Sequence, residues 1–300
     1  MRVAVVGAGT MGSRVAIRCA KFGCDVTVLA RNRDRAKAAI TAAAEEVDSA
    51  QALERVTLEE DLSGATGAQL VYEAIPEVLA EKQKLFGELE EFVDDHVPLV
   101  SGTSTFMPDR MGFYLEFPKR VFVAHFIHPV TLVALAEIVA PSELIDSLAE
   151  TTLEGWIETL ELEPIRLQNP LTGFIVNRLQ FALVREALNI VEQGGATAED
   201  VDLIMRLGLG PRWTATGPIE SVALGGPSTF AHVARSIVPT LDNRESIPGL
   251  ERPNSGLPVV NAERRASALD SRKKAYEFAR RLCFDGGSAA QSALDKQQSR

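Results

Sequence analysis

Residues 3–12 read VAVVGAGTMG, and this stretch decides the fold of the chain. Its apolar start predicts a buried strand, and the glycines that follow predict a tight turn. Residues 13–22 then place apolar side chains at helical spacing, and residues 26–29 form a second apolar run after Gly23. A strand, a glycine turn, a helix and a second strand within about thirty residues are typical of a βαβ unit.

The glycine turn has the pattern G-x-G-x-x-G, which is typical of loops that bind the pyrophosphate of a dinucleotide. Glycine permits the tight turn and the close approach of the ligand, while the N-terminus of the next helix offers free backbone N–H groups. The predicted cofactor contacts of this loop are Gly7, Gly9, Thr10, Met11 and Gly12. The alternative is a tight turn that binds no ligand.

The residue after the second strand is Ala30, where folds of this kind usually carry an acid that binds the adenine ribose. Arg31 follows directly, and Arg33 and Arg35 are close behind. Without the acid there is no repulsion against a 2′-phosphate, and a guanidinium binds phosphate through charge-assisted bonds. We therefore expect NADP(H) to be preferred, NAD(H) to be possible, and Arg31 to be the main contact. The alternative is that the arginines only decorate a solvated helix start.

Strand and helix patterns continue to alternate up to residue 170, including a helix over residues 36–53, and they predict a doubly wound, Rossmann-type, mostly parallel sheet. Ligands bind such sheets beyond the carboxyl ends of the strands. The glycine loop, the segment Glu73–Glu77 and the loop around Ser104 all lie at this edge. The alternative for Ser104 is a capping or turn residue.

Residues 121–139, VFVAHFIHPVTLVALAEIV, bring a strand to His125 and place Glu137 in an apolar run. Imidazole exchanges protons near neutral pH, which suits acid–base chemistry. A carboxylate in apolar surroundings is costly to bury unless a partner meets it. The pattern therefore predicts that Glu137 binds His125. The alternative is a core histidine and an unrelated acid on a strand rim.

Residues 171–300 predict an all-helical domain that follows a dinucleotide-binding domain over residues 1–170. The helix expected from Thr172 to Val191 has too many apolar positions for one face, so we expect it to be largely buried and to support a homodimer. Arg212, in the block GLGPRW, is a candidate for binding a substrate carboxylate. A structural ion pair with Glu220, or a contact with a helix end, is the alternative.

The composition indicates which kinds of partner and which cellular compartment to expect. The net charge of −10 argues against nucleic acid and anionic membranes as main partners. Three cysteines without metal-ligand spacing point to a reducing compartment. The first residues already form a strand pattern and no apolar run is long enough to span a bilayer, so we expect a cytoplasmic protein without a signal peptide.

The ordered motifs resemble the L-3-hydroxyacyl-CoA dehydrogenase superfamily. The resemblance rests on VAVVGAGTMG, VYEAIPE, SGTSTFMP, HFIHPVTLVALAEIV and GFIVNRL, which together span nearly the whole chain. The block GLGPRW with the later GPIE is most similar to the branch of λ-crystallin, L-gulonate 3-dehydrogenase and carnitine 3-dehydrogenase.

This resemblance implies a set of site residues. His125 is expected to be the catalytic acid/base and Glu137 its orienting partner. Ser104 and Asn177 match the family's active-site serine and asparagine. Glu73 and Glu77 are expected along the ribose on the nicotinamide side. The implied reaction passes hydride between the nicotinamide and a carbon that carries a 3-hydroxy or 3-keto group.

One position departs from the family pattern. His128 stands where the family usually has asparagine, which donates to a substrate carbonyl at any pH, whereas a neutral imidazole donates from one nitrogen only. We therefore expect His128 to contact the substrate in a different way. His125 and His128 lack further ligands at suitable spacing, so no metal site is expected.

The expected function is NADPH-dependent reduction of a 3-keto group on an acyl or carboxylate substrate. One alternative is an NAD-dependent 3-hydroxyacyl-CoA dehydrogenase of fatty-acid degradation. Another is a non-catalytic, crystallin-like dinucleotide-binding protein, and the intact set of Ser104, His125, Glu137 and Asn177 argues against it.

Overall fold

The computed structural model describes residues 1–142, 147–247, 250 and 260–285. It divides into two compact units, Met1–Asn177 and Arg178–Arg300. The first unit contains a sheet with helices, and the described part of the second unit is helical.

One eight-stranded sheet forms the centre of the first unit. Its strands are β1 (Arg2–Val6), β2 (Asp25–Leu29), β3 (Val56–Glu59), β4 (Leu70–Glu73), β5 (Leu99–Ser101), β6 (Val121–Phe126), β7 (Leu135–Val139) and β8 (Glu163–Arg166). They pair in the order β3-β2-β1-β4-β5-β6-β7-β8, and every pair is parallel except β6 with β7. The predicted mostly parallel, doubly wound sheet is confirmed.

The helices of the first unit cover the sheet. They are α1 (Thr10–Lys21), α2 (Arg33–Glu45), α3 (Leu79–Leu89), α4 (Pro108–Met111) and α5 (Leu148–Thr159). The helix predicted over residues 36–53 is too long, because α2 ends at Glu45 and a short 3-10 helix follows at Ala50–Arg55. Asp48 has a φ of 49°, in the left-handed region, and an α-helix cannot continue through that conformation.

The central strands are buried on both faces, as parallel strands covered by helices require. All four residues of β4 and all six residues of β6 are buried. Continuous apolar runs in these strands supply the core, so the few polar side chains within them need partners. Glu73, His125 and Glu137 are such residues.

The second unit follows within a helix that starts in the first. The helices here are α6 (Phe174–Glu192), α7 (Ala198–Ile204), α8 (Gly210–Gly225), α9 (Pro227–Ile237) and α10 (Ala262–Arg280). The helix predicted from Thr172 to Val191 is observed as α6, in which Phe174 is the only buried residue. Its expected burial, together with a second subunit, stays a prediction. Some apolar side chains of α6 are exposed in the described chain, such as Leu179 at 54% and Phe181 at 50%. No described helix is long and apolar enough to cross a membrane.

Candidate active site

The glycine loop packs against the carboxyl end of β4. Gly7 has a φ of +96°, and a Cβ there would lie 2.7 Å from the carbonyl oxygen of Ala74. A Cβ on Gly12 would collide with the carbonyl oxygen of Gly7. These two contacts leave room only for glycine, which explains why the loop needs it at both positions.

The remaining glycine of the loop, Gly9, has a different environment. A Cβ on Gly9 would meet nothing within 4 Å, and Gly9 is the N-cap of α1 without any side-chain cap. The first turn of α1 holds no acid, Thr10 is exposed, and Met11 packs partly against the core. The start of α1 therefore presents uncapped N–H groups and open space, which fits the pyrophosphate of a dinucleotide.

Three arginines surround the end of β2. Arg31 is exposed directly after Ala30, and Arg33 and Arg35 are exposed on the first turn of α2. The Asn32 side chain caps α2 by accepting a bond of 2.9 Å from the Arg35 N–H. Within residues 1–142, none of these three arginines forms an ion pair with a described acid, so their guanidinium groups are available to an anion.

Glu73 lies beneath the loops rather than at their surface. It is completely buried, and its Oε1 accepts from Lys82 Nζ at 2.6 Å and from the Ile75 N–H at 2.7 Å. Its Oε2 accepts from the Ser101 hydroxyl at 2.6 Å. Glu73 thus ties α3, β4 and β5 together, and its expected contact with the ribose stays a prediction.

Glu77 is the accessible acid of the same segment, with 39% of its side chain exposed. Lys82 Nζ lies 3.3 Å from its carboxylate, and the Thr103 hydroxyl donates to it. The Thr103 oxygen in turn accepts from the backbone N–H groups of Thr105 and Phe106 at 3.1 and 3.0 Å. Glu77 is therefore held in place beyond the carboxyl end of β4, and its expected ribose contact remains a prediction.

Lys82 and Thr103 were not among the predicted site residues. A signal for Lys82 exists in the sequence, because helical spacing places it on the same face as the buried residues Leu85, Phe86 and Leu89. A lysine on an apolar helix face needs an acid nearby, and here Glu73 provides it.

The loop after β5 carries Ser104 on a rigid base. Tyr72 lies where a Cβ on Gly102 would stand, so the tyrosine fixes the start of the loop. Burial raises the pKa of Tyr72 well above its ordinary value, and the charge of Glu73 adds to this effect. The Ser104 hydroxyl is half-buried and has no hydrogen-bond partner among the described residues. Since Met107 is the N-cap of α4, a helix-capping role for Ser104 is not observed.

His125 and Glu137 face each other across the antiparallel pair of strands. The register of β6 and β7 places them directly opposite, and Nδ1 of His125 lies 2.7 Å from Oε2 of Glu137. The His125 side chain is 10% exposed and packs 5.4 Å from the ring of Phe174. Because Glu137 occupies Nδ1, Nε2 is the nitrogen left for a ligand.

The other oxygen of Glu137 holds the start of α6. Oε1 accepts from the backbone N–H groups of Ile175 at 2.8 Å and Val176 at 3.1 Å. The first N–H groups of a helix have no partner inside it, and the positive end of the helix stabilises a carboxylate there. Asn177 is the next residue on this turn and is half-buried. The structure thus brings His125, Glu137 and the turn that carries Asn177 together.

Two further candidates lie elsewhere. His128 is exposed in the connection between β6 and β7. Arg212 is exposed on α8 of the second unit, and it forms no ion pair with Glu220 or another acid of the described chain. The predicted substrate contacts of both residues remain predictions.

The fold and the glycine loop are those of a Rossmann-type dinucleotide-binding domain. Residues 2–169 match the family model of the 3-hydroxyacyl-CoA dehydrogenase NAD binding domain, and residues 173–250 match the C-terminal domain of the same family. The chain belongs to the 3-hydroxyacyl-CoA dehydrogenase family, and it is a dehydrogenase.

Individual relatives agree with this assignment. A lambda-crystallin homolog of Homo sapiens is 30% identical, over 78% of this chain and 77% of the relative. An L-carnitine dehydrogenase of Oceanobacillus iheyensis is 30% identical, over 80% of this chain and 81% of the relative. The crystal structure of an NAD+-dependent 5-formyl-3-hydroxy-2-methylpyridine 4-carboxylic acid 5-dehydrogenase has a TM-score of 0.80 at 23% identity, over 94% of this chain and 97% of that chain, which is a likeness of fold. The resemblance predicted from the motifs, including its branch, is confirmed.

Proposed function

We propose that the protein reduces a 3-keto group to a 3-hydroxy group on an acyl or carboxylate substrate, with NADPH as the preferred cofactor. The observation that carries the proposal is the contact between His125 and Glu137 at the carboxyl end of β6. Parallel strands end at one edge of a sheet, so this pair and the glycine loop after β1 share that edge. An acid–base group and a dinucleotide site on one edge are what ketone reduction requires.

The protein residues would act around the carbonyl carbon. When bound, the nicotinamide supplies the hydride. Nε2 of His125 gives its proton to the carbonyl oxygen, which becomes the hydroxyl, and Glu137 fixes the imidazole orientation and stabilises its positive charge. The backbone N–H groups of α6 hold Glu137 in place. Ser104 has no hydrogen-bond partner among the described residues, and we propose that it and Asn177 contact the substrate.

The substrate is proposed to carry an anionic group. By its name, the relative from Oceanobacillus iheyensis acts on L-carnitine. Arg212 is exposed on α8, with no acid of the described chain paired to it. We infer that a free carboxylate is a better substrate than a thioester; the substrate contacts of Arg212 and of His128 each stay a prediction.

A second candidate is NAD-dependent oxidation of a 3-hydroxyacyl-CoA. It is favoured by the family model of the first unit, whose description names NAD. Ala30 argues against the NAD-dependent candidate, because position 30 lacks the acid that would bind the 2′-hydroxyl of NAD. The cofactor preference therefore separates the two candidates.

The replacement Arg31→Ala tests the cofactor assignment. We expect the wild type to reduce a 3-keto substrate with NADPH at least about tenfold more efficiently than with NADH. Removing the guanidinium should abolish that difference, because a charge-assisted hydrogen bond contributes about 1.5–3 kcal/mol. We expect kcat/KM with NADPH to fall and kcat/KM with NADH to stay unchanged. The measurement is kcat/KM with each cofactor on 3-keto acids and on acetoacetyl-CoA.

Lys37→Ala is the matched control, since it removes one exposed positive charge from the same helix. It should leave the preference unchanged. A wild type that prefers NADH would favour the second candidate. An Arg31→Ala variant that still prefers NADPH would contradict the role given to Arg31.

We also infer that the protein is a homodimer through the helical unit. No residue from 178 to 283 whose exposure the structure describes is buried, and large apolar side chains such as Leu207 and Ile219 are 73% and 84% exposed. Apolar surface of this extent marks an interaction site. Light scattering in solution should give twice the chain mass of 32.5 kDa, and a monomer would contradict the inference. A cytoplasmic location stays a prediction.

A further inference from the structure

Arg18 is a buried arginine in α1, the helix that begins at the glycine loop, and it is 6% exposed. Its Nη1 donates to the carbonyl oxygens of Val130 at 2.7 Å and Val133 at 3.4 Å. Its Nη2 and Nε donate to the carbonyl oxygen of Leu160 at 2.7 and 3.2 Å, and Nη2 also reaches that of Glu161 at 3.5 Å. One side chain therefore holds two separate backbone segments.

The first of these segments is the connection between β6 and β7, which we call the 127–134 loop. It joins the strand of His125 to the strand of Glu137 and carries His128. The second segment is the end of α5, where Leu160 is the C-cap. A guanidinium has five donors in one rigid plane, so it fixes the directions as well as the distances of its acceptors.

Burying the positive charge of Arg18 costs solvation free energy, which new hydrogen bonds must offset. A cation away from water is unfavourable unless its donors are satisfied, and the carbonyl groups at the end of a helix carry partial negative charge. Arg18 meets this cost with backbone oxygens of the two segments. The 127–134 loop is thereby attached to α1, and the N-terminus of α1 is the predicted dinucleotide site.

We propose that Arg18 is a positioning residue that sets the 127–134 loop, and with it His128, at the correct place relative to the cofactor. It acts through the carbonyl groups of Val130 and Val133 and touches neither the substrate nor the dinucleotide. The proposal rests on the proposed function, since it assumes that the 127–134 loop contacts the ketone substrate.

The replacement Arg18→Met tests the proposal, because methionine fills much of the space without any donor. We expect turnover per NADPH-binding site to fall at least about tenfold and the KM for the ketone to rise, as small misplacements of substrate contacts are costly. The dissociation constant for NADPH should change by less than about twofold. Amide hydrogen exchange in the 127–134 loop should become at least about tenfold faster.

Arg120→Met is the matched control. Arg120 is also a buried arginine, 3% exposed, and it bonds Glu90 Oε1 at 3.1 Å and the carbonyl oxygen of Asp94. It precedes β6, at the other end of the strand from His125. Both replacements should lower the melting temperature, but Arg120→Met should leave turnover per binding site and exchange in the 127–134 loop unchanged. If Arg18→Met and Arg120→Met lost turnover per binding site to the same extent, Arg18 would have only a structural role.

Arg18→Lys provides a second variant in case Arg18→Met does not fold. One ammonium group cannot bond Val130 and Leu160 in the geometry of the guanidinium, so a smaller loss in the same direction is expected. Wild-type turnover and wild-type exchange in Arg18→Lys would overturn the proposal. If the wild type reduces no 3-keto compound, the proposed function fails, and the exchange comparison still shows whether Arg18 orders the loop.

Discussion

The replacement His125→Gln is expected to lower turnover by about 10²–10⁴-fold, the range typical of a lost acid–base group. Glutamine keeps a polar group near Glu137 but cannot give a proton to the developing hydroxyl. The imidazole contacts Glu137 and the ring of Phe174, and neither contact involves the glycine loop. The dissociation constant for NADPH should therefore stay within about twofold of the wild-type value. Steady-state kinetics and a fluorescence titration with NADPH measure the two quantities.

His96→Gln is a suitable control, since His96 is exposed and lies next to Asp95. It should keep wild-type turnover and wild-type affinity. If His125→Gln retained near-normal turnover, the acid–base role would be wrong. If it lost only NADPH affinity, His125 would belong to the cofactor site instead.

The replacement Gly12→Ala is expected to damage the dinucleotide site and the fold together. The added Cβ would collide with the carbonyl oxygen of Gly7, and backbone atoms cannot move aside as a flexible side chain can. Overpacking of this kind costs typically about 1–3 kcal/mol. Because the loop and the start of α1 must separate, we expect NADPH affinity to fall at least about tenfold, which corresponds to about 1.4 kcal/mol. Thermal unfolding and the NADPH titration report these effects.

Gly155→Ala is the matched control for this replacement. Gly155 lies inside α5, and a Cβ there would meet nothing within 4 Å. Alanine is favoured over glycine in a helix by about 1 kcal/mol, so this variant should be at least as stable as the wild type. Unchanged NADPH affinity in Gly12→Ala would contradict the assignment of the glycine loop as the dinucleotide site.

The architecture of the first unit was predictable because its signals are local. The apolar run at Val3–Val6, the glycine pattern after it and the alternation of strands and helices all lie within short windows of sequence. The contact between His125 and Glu137 was also predictable, since an acid in an apolar run needs a partner and a histidine lies twelve residues away. The antiparallel pairing that makes them direct neighbours was not predicted.

The remaining site features depend on contacts between residues that are distant in sequence. Glu137 binds the N–H groups of Ile175 and Val176, and Arg18 reaches Leu160 across 142 positions. No local pattern marks such pairs, because they arise from the packing of whole elements. The burial expected for α6 is undecided for a related reason, because apolar periodicity shows that a surface is to be covered but not by which molecule.

The register of β6 and β7 keeps the proposed acid–base pair separate from the 127–134 loop, which is proposed to contact the substrate. The two strands place His125 opposite Glu137 through their backbone ladder, and the residues that join the strands take no part in that ladder. We therefore expect exchanges, insertions or losses in the connection to leave the distance between the two side chains unchanged. Under the proposed function, we expect a lineage with this arrangement to acquire new substrates in small evolutionary steps while it inherits the same proton transfer.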